Sequence, residues 1–215
     1  FERAASGLDP GHRQLLAEKF DDASLFEASK LLGKSLSQMG ISIPHSISQE
    51  FQLDQAEILD LIQSAPRLKM AVRGWVAEEH LLRKLEKIPG VENCVRMESE
   101  GGADLQLSYR GSRKLEVECK NVLRKRLKDE TIKLDFQRTR ASKNDPCSRY
   151  YSPSDFDIVA ACLHSCTEKW EFRYMLSGDL DAHKKCAGKL DHSVRIDKRW
   201  TSSVELVLVA AASKK

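Results

Sequence analysis

Two short alternating segments joined by Arg110-Gly111-Ser112 constrain this chain more than any other feature of it. Residues 104–109 and 113–120 read as strands, because apolar and polar residues alternate along both. Strand side chains point to opposite faces in turn. Leu115, Val117 and Cys119 therefore share one face, and Glu116, Glu118 and Lys120 the other. If the hairpin closes at Gly111, Asp104 stands opposite Glu118, with Cβ atoms roughly 4.5–5.5 Å apart. Two carboxylates and a lysine then converge at one end of a two-stranded ribbon. Carboxylate oxygens suit a hard cation such as magnesium. A neighbouring ammonium can position an attacking water or stabilise charge developing on a phosphate.

Asp104 followed by Glu118-Cys119-Lys120 resembles the PD-(D/E)xK motif of the restriction-endonuclease-like nuclease superfamily. The helix ahead of it carries Arg73-Gly74-Trp75-Val76-Ala77-Glu78. That run resembles the R/K-G-x-x-x-E helix start of the Mrr-like and Holliday-junction-resolvase-like branches, which supplies a further acidic residue. The order helix, strand, hairpin, ExK also matches, and the resemblance spans residues 73–176. Ala103 stands where the motif's name has proline. The resemblance implies an α/β restriction-endonuclease-like core: a mixed central sheet flanked by helices, in helix–three-strand–helix–strand order. It implies metal-dependent hydrolysis of DNA phosphodiester bonds by Glu78, Asp104, Glu118 and Lys120. Asp104, Glu118 and the main-chain carbonyl of Cys119 would bind Mg2+, for which Mn2+ would substitute. Glu78 would support the metal, and Lys120 would orient or activate the attacking water.

Residues 70–87 read as the helix, with Val72, Trp75, Val76, Leu82 and Leu85 as its apolar stripe. Glu78 and Glu79 both fall within or beside that stripe. A carboxylate facing a core is costly unless it is paired or binds metal. Glu78 lies between Leu82 and Leu85 in angular position and matches the family spacing. The other reading is a pair of exposed glutamates at the stripe's edge, bridging to Arg83 or Lys84. Pro89-Gly90 ends the helix, and residues 91–97 read as the first strand.

After the hairpin the chain turns basic. Arg124, Lys125, Arg126, Arg138, Arg140, Lys143 and Arg149, with Gln137 among them, are expected to contact DNA. Arg and Lys supply most phosphate contacts, and Gln and Arg also read base edges. A solvated loop is the alternative reading of such a charge run. Residues 156–163 and 170–176 read as an antiparallel strand pair turning at Glu168-Lys169. Residues 201–212 form either a helix or a strand, and their apolar density suggests a packing face or a homodimer contact.

Before residue 66 the pattern is helical and acidic residues outnumber basic ones, although the whole chain carries a net charge of +3. The 215 residues, 41% of them hydrophobic, accommodate a helical subdomain over 1–66 and a nuclease domain over 67–215. No apolar run approaches the ~20 residues that span a bilayer, and no secretory signal is visible. No membrane contact and a cytoplasmic, prokaryotic location are therefore expected. Six cysteines without a CxxC pair are expected to be reduced thiols. Cys162, His164 and Cys166, followed by His183, Cys186 and His192, match no common zinc module. Gly101-Gly102 runs into the motif strand without the GK[ST] of a phosphate loop.

These features favour an endonuclease of restriction or other host defence. The added helical and basic material lies beyond a minimal resolvase core, so a Holliday-junction resolvase ranks second. A non-catalytic DNA-binding or assembly subunit on a nuclease scaffold is the alternative of another class. A chance match to the motif would leave Asp104 and Glu118 far apart.

Overall fold

The computed structural model describes residues 45–97, 102–138 and 142–213. The chain divides into two compact units, with the boundary between Lys69 and Met70. In the first unit, helix α1 spans Ser46–Phe51 and helix α2 spans Gln55–Ser64. Asp54 Oδ1 accepts from the Glu57 N–H at 2.8 Å, and the Glu57 carboxylate accepts from the Asp54 N–H at 2.7 Å. This capping box starts α2. The helical pattern expected before residue 66 is, over the described residues of this unit, broken at Gln52, whose backbone is left-handed (φ 53°). The helices expected within residues 1–44 lie outside the described residues. Helix α3, Pro66–Leu85, contains the boundary between the units.

The second unit holds strands β1 (Val91–Arg96), β2 (Leu105–Tyr109), β3 (Leu115–Asn121), β4 (Lys133–Asp135), β5 (Ile158–Cys162), β6 (Phe172–Leu176) and β7 (Ser193–Arg195). Its short helix α4 spans His164–Thr167 and its last helix α5 spans Val204–Ala212. Five strands form one mixed sheet in the order β1-β2-β3-β5-β6, and β4 pairs with β7 in a separate ribbon. Only β3 and β5 are parallel; the other pairs in the large sheet are antiparallel. The chain thus has a mixed α/β fold whose central strand, β3, carries Glu118 and Lys120.

Alternation along the strands divides the interior into two cores. On one face Leu105, Leu115, Val117 and Cys119 pack with Ile158, Ala160, Phe172 and Tyr174, against Ala77, Leu81 and Leu85 of α3 and Val207 and Leu208 of α5. On the other face Val159, Ala161 and Met175 pack with Leu134, Phe136, Tyr151, Phe156 and Trp200. All of β5 is buried because both its faces are covered.

Three features differ from the sequence expectations, and one open alternative is resolved. The buried stripe of α3 is Ala77, Leu81 and Leu85, while Trp75 is 57% exposed, lying about 200° around the helix from Ala77. The alternative left open for residues 201–212 resolves as helix α5, because Val204, Val207, Leu208 and Ala211 recur at helical spacing on the buried side. The connection from β3 to β5 contains, among its described residues, β4 and a single 3-10 turn at Pro146–Arg149 in place of the expected helix. Its apolar residues (Val122, Leu134, Phe136, Tyr151) sink singly into the second core and make no helical stripe. Finally, the six thiols are not all reduced. Cys147 and Cys186 form a disulfide across 39 residues of sequence, a separation at which spacing carries no signal, and Cys94, Cys119, Cys162 and Cys166 are free. Among the described residues no helix is long and apolar enough to cross a membrane.

The bridge pins the β3–β5 connection to the segment that precedes β7. A cross-link over such a loop stabilises mainly by restricting the unfolded chain. Cys147→Ser is expected to lower the unfolding free energy by about 2–4 kcal/mol in urea melts. Reductant should shift the wild type equally and leave the variant unmoved.

Candidate active site

The hairpin register pairs Leu105 with Val117, Gln106 with Glu116 and Leu107 with Leu115. One further step sets Asp104 against Glu118. Asp104 Oδ2 accepts from the Cys119 main-chain N–H at 2.7 Å, which fastens the carboxylate to the facing strand. Glu118 and Lys120 emerge on the face opposite Leu115, Val117 and Cys119, toward the second core. Glu118 is 2% exposed. Lys120 Nζ lies 2.6 Å from Glu118 Oε1, and the Tyr151 hydroxyl donates to the same oxygen at 2.6 Å. Glu118 Oε2 is buried, with no hydrogen-bond partner among the described residues.

Glu78 reaches this group from α3, with its Oε2 3.5 Å from Arg96 Nε. Burial raises its pKa; Arg96 and then Lys120 pull it back, while Glu118 adds to the rise. Glu79 pairs instead with Arg83 at 2.7 Å and with Arg96 at 3.4 Å. Of the two helix glutamates, Glu78 is the one whose charge acts on Asp104. Arg96 also donates to the Trp75 carbonyl at 3.1 Å and sits 5.2 Å from the centre of the Trp75 ring. It ties the strand β1 to the helix beside the site.

Charge at the site is strained toward the acidic side. Burial, and then the Glu118 charge, push Asp104 up to about 7 against the pull of Lys120 and the Cys119 N–H. Burial would lower Lys120, but the carboxylate of Glu118, with Tyr151 and Asp104 behind it, outweighs burial and holds the ammonium above its ordinary range. Burial and then Glu118 raise Tyr151 as well, so its phenol stays a donor. An orphaned carboxylate oxygen beside a second carboxylate that resists ionisation is the donor chemistry that a hard divalent cation completes. Asp104, Glu118 and the Cys119 carbonyl are the groups that could hold one. Among the described residues no three or more His, Cys, Asp and Glu side chains form a metal-holding group by themselves. Mg2+ commonly binds through one or two carboxylates and keeps several waters.

The basic residues after β3 fall into two classes. Arg124, Lys125, Lys143 and Arg149 are exposed, as is Arg126, which is 3.9 Å from Glu130. Arg138 is engaged within the chain: it bridges to Asp155 at 2.8 Å and lies 5.0 Å from the centre of the Tyr151 ring. Gln137 donates to Asp135 at 2.9 Å. Arg140 lies outside the described residues. The structure therefore gathers Glu78, Asp104, Glu118, Cys119 and Lys120, and it adds Tyr151 and Arg96. Tyr151 is 33 residues from Glu118, and the sequence marks it only as an aromatic within a basic run.

No family model and no curated protein matches the chain. Among solved structures it is similar to a bacterial homing endonuclease at 21% identity, over 67% of this chain and 96% of that one, with a TM-score of 0.45. A likeness at that level assigns neither substrate nor residue roles.

The raised Asp104 makes a signed pH prediction for the protein in EDTA. Its pKa is about 7 folded against 3.8 for the ordinary group, so between those values the folded state binds more protons and stability falls as pH rises. The cost is fully present above pH ~7 and vanishes below pH ~4. Asp104→Asn should therefore stabilise the protein more at pH 8 than at pH 5, by of order 2 kcal/mol at ~1.4 kcal/mol per pH unit. Equal effects at the two pH values would show that Asp104 keeps one protonation state between them and would refute the shift.

Proposed function

We propose that this chain is a metal-dependent DNA endonuclease that hydrolyses phosphodiester bonds. Glu118 carries the proposal: a carboxylate 2% exposed, with one oxygen shared by Lys120 and Tyr151 and the other without a hydrogen-bond partner among the described residues. A scaffold with no chemistry to perform gains nothing from burying such a group beside Asp104. The resemblance of these residues to the PD-(D/E)xK motif supports the same reading.

Asp104, Glu118 and the Cys119 carbonyl would hold Mg2+ or Mn2+, which when bound supplies positive charge against the scissile phosphate and activates water. Lys120 carries an ammonium into the same group, where it can donate to the attacking water or to phosphate oxygens as charge develops. Glu78, tethered by Arg96, adds a third carboxylate that supports the cation directly or through water. The exposed Arg124, Lys125, Lys143 and Arg149 would take the DNA backbone beside it. The long basic connection after β3 and the helices before residue 70 favour a restriction or other host-defence enzyme over a junction resolvase.

Supercoiled plasmid should be nicked or linearised in Mg2+ or Mn2+ and left intact in EDTA. Lys120→Ala and Asp104→Asn should each slow cleavage by ~100-fold or more. Intact plasmid with salt-sensitive binding retained would refute catalysis and leave a binding subunit on a nuclease scaffold. Binding is tested separately by fluorescence anisotropy across a salt series. Replacing Arg124 and Lys125 together by Ala should flatten the slope of log affinity against log salt by roughly 2. An unchanged slope would place the DNA elsewhere on the surface.

A further inference from the structure

We infer that Tyr151 is a positioning residue that holds Glu118 for the cation, a role that rests on the nuclease reading above. The Tyr151 hydroxyl and the Lys120 ammonium both donate to Glu118 Oε1, each at 2.6 Å. A carboxylate oxygen offers about two lone-pair sites. Oε1 is therefore saturated, and Oε2, buried and without a hydrogen-bond partner among the described residues, is the oxygen left to ligate.

The two donors differ in how firmly they are held. Tyr151 is 5% exposed. Its ring sits 4.9 Å from Phe136 and 5.2 Å from Phe156, centre to centre. Arg138, fixed by Asp155, lies 5.0 Å from the ring centre, and the Tyr151 carbonyl accepts from the Leu190 N–H at 2.8 Å. Lys120 has a flexible stem, and its side chain is 26% exposed. When Lys120 turns to water or phosphate, Tyr151 remains on Oε1 and keeps the carboxylate aimed. One rigid donor and one mobile donor on the same oxygen separate the task of holding a ligand from the task of serving the substrate. Outer-shell partners of this kind typically contribute 10–100-fold to metal affinity.

The test is Mn2+ binding to the full chain without DNA, read from the electron paramagnetic resonance signal of free Mn2+. Four proteins are compared: wild type, Tyr151→Phe, Glu118→Gln and Tyr174→Phe. Tyr151→Phe removes only the hydroxyl and keeps the ring in its aromatic cluster. Tyr174→Phe is the control, because it removes another buried hydroxyl from the opposite face of the same sheet. Tyr151→Phe should weaken binding 10–100-fold, Glu118→Gln should abolish it, and Tyr174→Phe should leave it unchanged. A second readout needs no change at residue 151: Mg2+ should perturb the tyrosine ultraviolet spectrum of wild type but not of Glu118→Gln. Wild-type affinity in Tyr151→Phe, or saturable binding with no tyrosine perturbation, overturns the role of Tyr151 and leaves the nuclease reading standing. Wild type that binds no more Mn2+ than Glu118→Gln overturns both.

Discussion

Glu118 is buried because β3 is the middle strand of the sheet, and a buried carboxylate must be compensated. With β2 hydrogen-bonded along one edge and β5 along the other, its side chains have only the two faces to occupy. The face that takes Leu115, Val117 and Cys119 is apolar throughout and closed by α3 and α5. Glu118 therefore goes to the other face. There Lys120 and Tyr151 satisfy one of its oxygens, while Asp104, clamped to the Cys119 N–H, adds repulsion. The group is stable as a protein interior only in part, and that incompleteness is its chemical interest.

Helix α3 meets the same sheet with a phase set by Ala77, Leu81 and Leu85. That phase determines which neighbouring glutamate turns inward. Glu78, adjacent to Ala77, reaches the field of Asp104 and Lys120. Glu79 is drawn to Arg83 one turn further along. Arg96 spans both carboxylates from β1, so one guanidinium locks the helix to the sheet edge and moderates the acidity beside the site.

The connection between β3 and β5 looks from composition like a solvated basic loop, and part of it is one. The rest is built inward. Phe136, Tyr151 and Phe156 form an aromatic cluster under the second face, Arg138 closes over it through Asp155, and the Cys147–Cys186 bridge fastens the turn nearby. A positive charge counted in the sequence is thus not always a charge offered to a ligand.

How much was legible follows from the range of the interactions. Alternation and a short turn are local, so the hairpin and the convergence of Asp104, Glu118 and Lys120 could be read from residues 104–120 alone, and the observed register has that form. Helix α3 was legible as a helix, yet its phase was not. Val72, Trp75 and Val76 suggest one stripe, while the partners supplied by β3 and α5 select another; the family spacing favours Glu78 over Glu79, and that phase turns it inward. The Tyr151 hydroxyl, the Arg96 bridge and the disulfide lay beyond sequence reasoning. Each joins residues 17 or more positions apart, and no periodicity encodes which distant segments pack together. The sequence by itself determined the hairpin and the identity of the charges on it. The tertiary structure decided which of those charges are buried, and hence which oxygen has no hydrogen-bond partner among the described residues, because desolvation is a property of the assembled fold and not of any segment.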